Sequence, residues 1–296
     1  MTGWRHHLEG ELALDVEHLD RALGIALHER AYVDALVDPR GHLFQRLEYV
    51  GDALLDAVLL QSLVLVQPWT ETDLSVVSDE QQSLVSDHAL GRVAARRGLP
   101  DVHAFDASRH RLADRIEAAI GAAWADSGVE GAQDVATRLV VGPGLARLPQ
   151  AAGVPLSGGD DRYEAASRVC GRDPVTVAWY GAAAAGGAPR RRLAVVGNAV
   201  LEAALSTAQY VDSPWATEAE MSEERRAATS NAVLAGRAHD LGLVLGGDAT
   251  DRRSVADEVQ ALVGAVTMDG GTRAGLEAAS GVLGRTFAPG PVELLR

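Results

Sequence analysis

The chain repeats itself. RLEYVGDALLDAVL (46–59) returns as RLAVVGNAVLEAAL (192–205), so that Leu47, Val50, Gly51, Ala53 and Leu55 fall on Leu193, Val196, Gly197, Ala199 and Leu201. LSVVSDEQQSLVSDHALGRVAARRGL (74–99) returns as MSEERRAATSNAVLAGRAHDLGL (221–243). LADRIEAAIGAAWADSG (112–128) returns as VADEVQALVGAVTMDGG (255–271). Three blocks in one order mark a duplication, and whatever one unit folds into, the chain must build twice. Between the copies, residues 142–160 are rich in Gly and Pro and cannot form a regular helix. A first unit at 10–145, a linker at 146–160 and a second unit at 161–285 follow.

Within each unit the apolar residues recur at helical spacing. Phe44, Leu47, Val50, Leu54 and Val58 form one face; Ile116, Ala119, Ile120 and Ala123 form another. Alternating β-branched runs are scarce. The expected class is all-α: two similar helical domains. Gly51 stands mid-helix, where glycine costs about 1 kcal/mol relative to alanine, so close packing or a site is expected there.

Composition narrows the function. The net charge is −14, and there is no lysine, so every strong base is arginine. Net acidity disfavours strong unaided binding to nucleic acid, which depends on neutralising phosphates. With 4% aromatic residues a base-stacking platform is not expected. Cys170 is the only cysteine, which excludes an intramolecular disulfide and fits a cytoplasmic setting. Its reading is a small buried residue. The apolar run ALLDAVLLQSLVLV is broken by Asp56 and Gln61 and falls short of the ~20 apolar residues of a membrane span, so no membrane partner is expected.

The chemistry lies in carboxylates. Glu48 and Asp52 are four residues apart and share a helix face; Asp114 and Glu117 are three apart and share another. An arbitrary pair of this kind is an exposed stripe. Here Glu48 and Asp52 are flanked by Leu47, Tyr49, Val50, Leu54 and Leu55, too apolar for that. Two such helices can converge four carboxylates, a cluster that repels itself until a cation neutralises it. Hard oxygen donors select Mg2+ or Mn2+. Asp56, one turn beyond Asp52, is expected at the surface, and His88 and His103 lack metal-ligand spacing.

These segments resemble the ribonuclease III family. RLEYVGDALLDAVL is similar to its signature, usually ERLEFLGDSVL, and LADRIEAAIGAAWADSG to its second acidic motif, LADxxEAxxGAxxxDxG. LHERAY (27–32) is a loose form of LTHRSA, and ETDLS (71–75) resembles EGxLS. The family's leading Glu is Gln45 here. The resemblance implies that Glu48, Asp52, Asp114 and Glu117 are metal-binding catalytic acids, with Glu71 a further acid near the cleft. It implies that Tyr49, with Val195 as its counterpart, sits at the domain interface. It also implies Mg2+-dependent hydrolysis of double-stranded or structured RNA, leaving 5′-phosphate and 3′-hydroxyl ends, by two paired domains each cutting one strand.

The second unit lacks the acids. Glu48 becomes Ala194, Asp52 becomes Asn198 and Glu117 becomes Gln260; Asp257 remains, with Glu218 at the place of Glu71. Gln45 becomes Arg191 and Tyr49 becomes Val195. The apolar skeleton persists, which implies a domain kept for packing. The expected architecture is an intramolecular pseudodimer of two ribonuclease III-like domains, the second degenerate, resembling the tandem arrangement in Dicer and Drosha. One live site implies nicking. The chain is expected to act as a monomer, with a homodimer as the alternative. No double-stranded-RNA-binding domain is expected after the second unit, and a helper RNA-binding protein is an expected partner. Among the arginine groups, Arg190, Arg191 and Arg192 are the leading candidate RNA contacts; Arg96 with Arg97, Arg109 with Arg111, Arg225 with Arg226 and Arg252 with Arg253 are other candidates. The alternatives are a non-catalytic RNA-binding or assembly protein and a ribonuclease III fold repurposed for a smaller substrate.

Overall fold

The computed structural model describes residues 27–28, 32, 35–36, 41–66, 74–98, 109–141, 175–185, 187–243 and 251–290. Glu71, His103, Cys170 and the linker 146–160 lie outside the described residues. Those described are helical, with no strand among them, as the periodicity predicts. The first unit contributes α1 (His42–Val66), α2 (Leu74–Val85), α3 (Asp87–Arg96) and α4 (Arg109–Ala136), the last running into a π-helical turn at Thr137–Val141. The second contributes α5 (Val177–Ala185), α6 (Gly187–Asp212), α7 (Glu218–Ala228), α8 (Asn231–Asp240) and α9 (Arg252–Leu283). The three repeated sequence blocks are the pairs α1/α6, α2–α3/α7–α8 and α4/α9. Among the described residues no helix is long and apolar enough to cross a membrane.

Each unit is built around one crossing of long helices, α1 over α4 and α6 over α9. Glycines set how close the helices come. A Cβ on Gly51 would drive into the backbone carbonyl of Glu117, and one on Gly121 into that of Leu47. The second unit repeats this with Gly197 against Gln260 and Gly264 against Leu193. The mid-helix glycine of the signature is therefore a contact point. The apolar faces meet around it: Leu47, Val50 and Leu54 with Ile116, Ala119 and Ile120, all buried.

The crossings are joined through α1 and α6, which lie against each other antiparallel. Near the start of α1, Arg46 donates to the carbonyl of Ser213 at 2.7 Å and to that of Tyr210, beside the end of α6. Its guanidinium also stands 4.7 Å from the Tyr210 ring centroid, a cation–π contact. Near the end of α1, Gln61 donates to the Thr267 carbonyl at 3.1 Å and accepts from the Thr272 hydroxyl at 2.9 Å, both on α9. All four side chains are buried, and the polar groups satisfy one another.

The last acid of each second motif serves the fold. Both α4 and α9 break at a glycine in left-handed conformation, Gly128 at φ 81° and Gly271 at φ 82°. Just before each break stands an Asp. Asp126 accepts from the backbone N–H of His28 at 2.8 Å and lies 2.7 Å from its Nδ1. Asp269 accepts from the N–H groups of Val175 and Thr176 and from the Tyr180 hydroxyl. Each carboxylate pins the segment that enters its own unit. Residues beyond α9 return to the first break: Trp124 donates to the Ala288 carbonyl at 3.2 Å and Val129 to that of Pro289 at 3.1 Å. Asp126→Ala orphans a backbone donor beside the core. It is expected to cost about 2 kcal/mol in urea unfolding, and a midpoint equal to wild type would remove this role.

Candidate active site

The Gly51 crossing places the acids. Glu48 and Asp52 flank Gly51 on α1; Asp114 and Glu117 lie on α4, with the Glu117 carbonyl as the atom Gly51 packs against. Glu48, Asp114 and Glu117 each turn a carboxylate oxygen to a common point, and these oxygens lie within 4.8 Å of one another. Asp52 is adjacent and half-buried, and lines the cleft between the units. The set is oxygen-only and fits a hard divalent cation.

Electrostatics record the crowding. Glu117 is pushed up to about 9, by burial first and then by Asp52, Glu48 and Asp114. Glu48 is pushed up to about 8, by burial first and then by Asp114, Glu218 and Asp52. Asp52 is raised by burial, with Arg225 pulling the other way. Without a cation, these groups hold protons that ordinary carboxylates would have released.

Two of these neighbours come from the other unit. Thr217 caps α7 with a reciprocal capping box: its hydroxyl accepts from the Glu220 N–H at 3.3 Å, and its own N–H donates to the Glu220 carboxylate at 2.8 Å. That fixes the start of α7 against the first unit, with Glu218 in its first turn. Glu218, read in the sequence only as the counterpart of Glu71, therefore bears on Glu48. Seven residues later, Arg225 stands 4.7 Å from the Tyr49 ring centroid and donates to the Ser206 hydroxyl at 3.3 Å. The Tyr49 hydroxyl donates to Gln209 at 2.8 Å, and Gln209 donates to the Met221 carbonyl and to Glu224. Tyr49 is thus seated against α6 and α7 of the second unit. Sequence spacing carries no signal for Arg225, Gln209 or Arg46, because their partners lie across the unit boundary.

A cavity of about 530 Å³ opens beside Asp52. Ala194, Asn198, Asp257 and Gln260, the four counterparts of the acids, all line it, as do Val195, Asp56 and Gln81. Gln260 donates to the Asn198 carbonyl at 3.0 Å, and Asn198 donates to Glu202 at 2.9 Å. Amides have replaced carboxylates and closed a hydrogen-bond chain that needs no cation. Asp56, expected at the surface, is half-buried in this cavity, accepts from Gln81 at 2.8 Å and is raised to about 7 by burial and by Asp52.

The arginine triplet divides. Arg190 donates to the carbonyls of Ala183 and Ala184 and pairs with Glu258 at 3.0 Å. Arg192 is 1% exposed. Arg191 is exposed and lines the cavity, together with Arg253. Neither of these two has an ion-pair partner among the described residues.

No family model matches the chain, and no curated protein matches it. Solved structures do match. The crystal structure of Dicer from Giardia intestinalis aligns with a TM-score of 0.59 at 15% identity, over 83% of this chain and 55% of that one. A structure of Giardia Dicer refined against twinned data gives 0.55 at 15% identity, over 84% and 55%. This chain thus spans just over half the length of the Dicer chains it matches, and at that identity the likeness is one of fold. The two helical units share the fold of just over half of the Dicer chain.

Proposed function

We propose that the chain is a divalent-cation-dependent endoribonuclease of the ribonuclease III type, with one active site in the first unit and a second unit that completes it without catalysing. The observation that carries this reading is the convergence of Glu48, Asp114 and Glu117, with Asp52 beside them. The side chains come from two helices whose crossing is set by Gly51. Four acids gathered at the cost of burial and mutual repulsion call for a ligand of opposite charge.

Glu48, Asp114 and Glu117 would hold Mg2+ or Mn2+, with Asp52 completing the set. The ion would supply Lewis-acid polarisation of a phosphoryl oxygen and activation of water. The acids would orient the scissile phosphodiester; a water would add to phosphorus as the P–O3′ bond breaks, and its proton would pass to the 3′-oxygen, leaving 5′-phosphate and 3′-hydroxyl ends. Glu218 and Arg225 reach this site from the second unit, so cleavage requires both units in one chain. The substrate is double-stranded or structured RNA. A single live site cuts one strand, and a helper RNA-binding protein would offset the chain's acidity.

A strand-resolved assay tests this. With each strand of a long RNA duplex separately labelled and Mg2+ present, wild type is expected to nick one strand per site and Asp52→Asn to lose that cleavage. Cleavage of both strands with a short stagger would instead mean that first units pair between chains. Equal cleavage by wild type and Asp52→Asn would sink the active-site assignment. RNA binding without cleavage would favour the assembly-protein reading.

A further inference from the structure

The degenerate site has not merely lost its acids. At the four positions that carry Glu48, Asp52, Asp114 and Glu117 in the first unit, the second keeps one carboxylate, Asp257. It has gained two arginines: Arg191 stands where the first unit has Gln45, and Arg253 where it has His110. Over these six positions the formal charge goes from −4 to +1, and with Asp56 and its counterpart Glu202, which also line the cavity, from −5 to 0. A site that needs a bound cation has become one that carries its own.

The geometry fits that exchange. Arg191, near the start of α6, and Arg253, at the start of α9, come from two separate helices to the same cavity. Both are exposed, and neither is spent on an ion pair among the described residues. Arg190 and Arg192 beside them are taken up by the fold, as are Arg273 with Glu130 and Arg285 with Glu224. Asn198 and Gln260 are hydrogen-bonded to each other and to Glu202, which holds the floor rigid without metal. The opposite wall is acidic, with Asp52 and Asp56. Among the described residues Arg191 and Arg253 are the cavity's cationic side chains, set beside Asp257 and Glu202 of the same unit, so an anion entering it is held at the two guanidinium groups, and Asp52 makes the cavity continuous with the live site.

We propose that the degenerate site is a metal-independent phosphodiester-binding site, in which Arg191 and Arg253 hold the RNA strand that the first unit does not cut. The inference rests on the nuclease reading above and names the second half of the same cleft. A duplex lying across the cleft presents one strand to the carboxylates and the other to the arginines. Guanidinium groups hold phosphate oxygens by paired N–H donors and stay charged at any working pH. The uncut strand fixes the register in which its partner meets the acids.

The test is binding of a long RNA duplex in EDTA, with salt titrated, by wild type, by Arg191→Ala/Arg253→Ala and by Arg273→Ala, an arginine paired with Glu130 outside the cavity, as the control. The double variant is expected to bind about tenfold or more weakly. Its log affinity against log salt should flatten by about 1.8, from two phosphate contacts at about 0.9 each. Arg273→Ala should match wild type. Arg191→Lys/Arg253→Lys guards against misfolding and should restore most of the slope. Asn198→Asp/Gln260→Glu, which keeps both arginines but returns two carboxylates, should weaken binding in EDTA. An unchanged affinity and slope in the double variant, or an equal loss in Arg273→Ala, overturns the proposal. If wild type still nicks the duplex in Mg2+ in that case, the nuclease reading stands alone. Absence of both RNA binding in EDTA and cleavage in Mg2+ by wild type overturns both.

Discussion

Glu117→Gln is expected to reduce cation-dependent cleavage by a hundredfold or more, since even outer partners of metal ligands cost about 10–100-fold when removed. The same substitution should stabilise the cation-free protein at neutral and alkaline pH. Glu117 holds its proton up to about 9 in the fold, against an ordinary 4.5, and Glu48 up to about 8. A raised folded value means that the native state binds protons the unfolded chain has already released. The stability these groups contribute is full below the unfolded value and is lost as pH rises from about 4.5 towards 9. The melting temperature in EDTA should fall across that window in wild type and fall less in Glu117→Gln. Added Mg2+ should raise it at pH 8 in wild type more than in the variant. Ion binding must displace the protons, so apparent Mg2+ affinity should climb with pH up to about 9. A melting curve in EDTA that is flat from pH 5 to 9, or an unchanged cleavage rate, would show that these carboxylates do not share one cluster.

Gly51→Ala is expected to destabilise by about 2 kcal/mol in urea unfolding. Alanine gains about 1 kcal/mol of helix propensity over glycine. Against that, the new methyl meets the Glu117 carbonyl, a backbone atom that cannot rotate aside, and overpacking of this kind costs about 3 kcal/mol. The clash wins. Separating α1 from α4 also separates Glu48 and Asp52 from Asp114 and Glu117, so cleavage should fall with stability. Gly197→Ala is its twin in the second unit and should cost as much, while leaving the first unit's own acids in place. A stabilising Gly51→Ala would mean that the helices do not meet there.

Much of this was legible in the order of residues. The duplication, the all-helical class and the pairing of acids along each helix are local or repetitive patterns, and helix geometry translates them directly. The mid-helix glycine was legible as an anomaly, since it carries a cost with no local return. What it touches was not, because the Glu117 carbonyl lies on another helix, 66 residues on by the numbering.

The rest belongs to tertiary structure. Arg190, Arg191 and Arg192 are one basic run in the sequence; in the fold the first is tied to Glu258, the third is buried, and only the second faces the cleft. Consecutive residues on a helix point about 100° apart, so a run of like charges is divided by whatever packs around it. Asp56 passed for a surface acid until the opposing unit closed over it. Glu218 and Arg225 read as parts of the second unit, yet they bear on the acids of the first. By itself the sequence determined two copies of a helical unit and four acids at ligand spacing in only one of them. The antiparallel packing of α1 against α6 decided which residues of the second copy lie beside those acids, because contacts between units depend on how two finished surfaces meet, and no spacing along the chain encodes that.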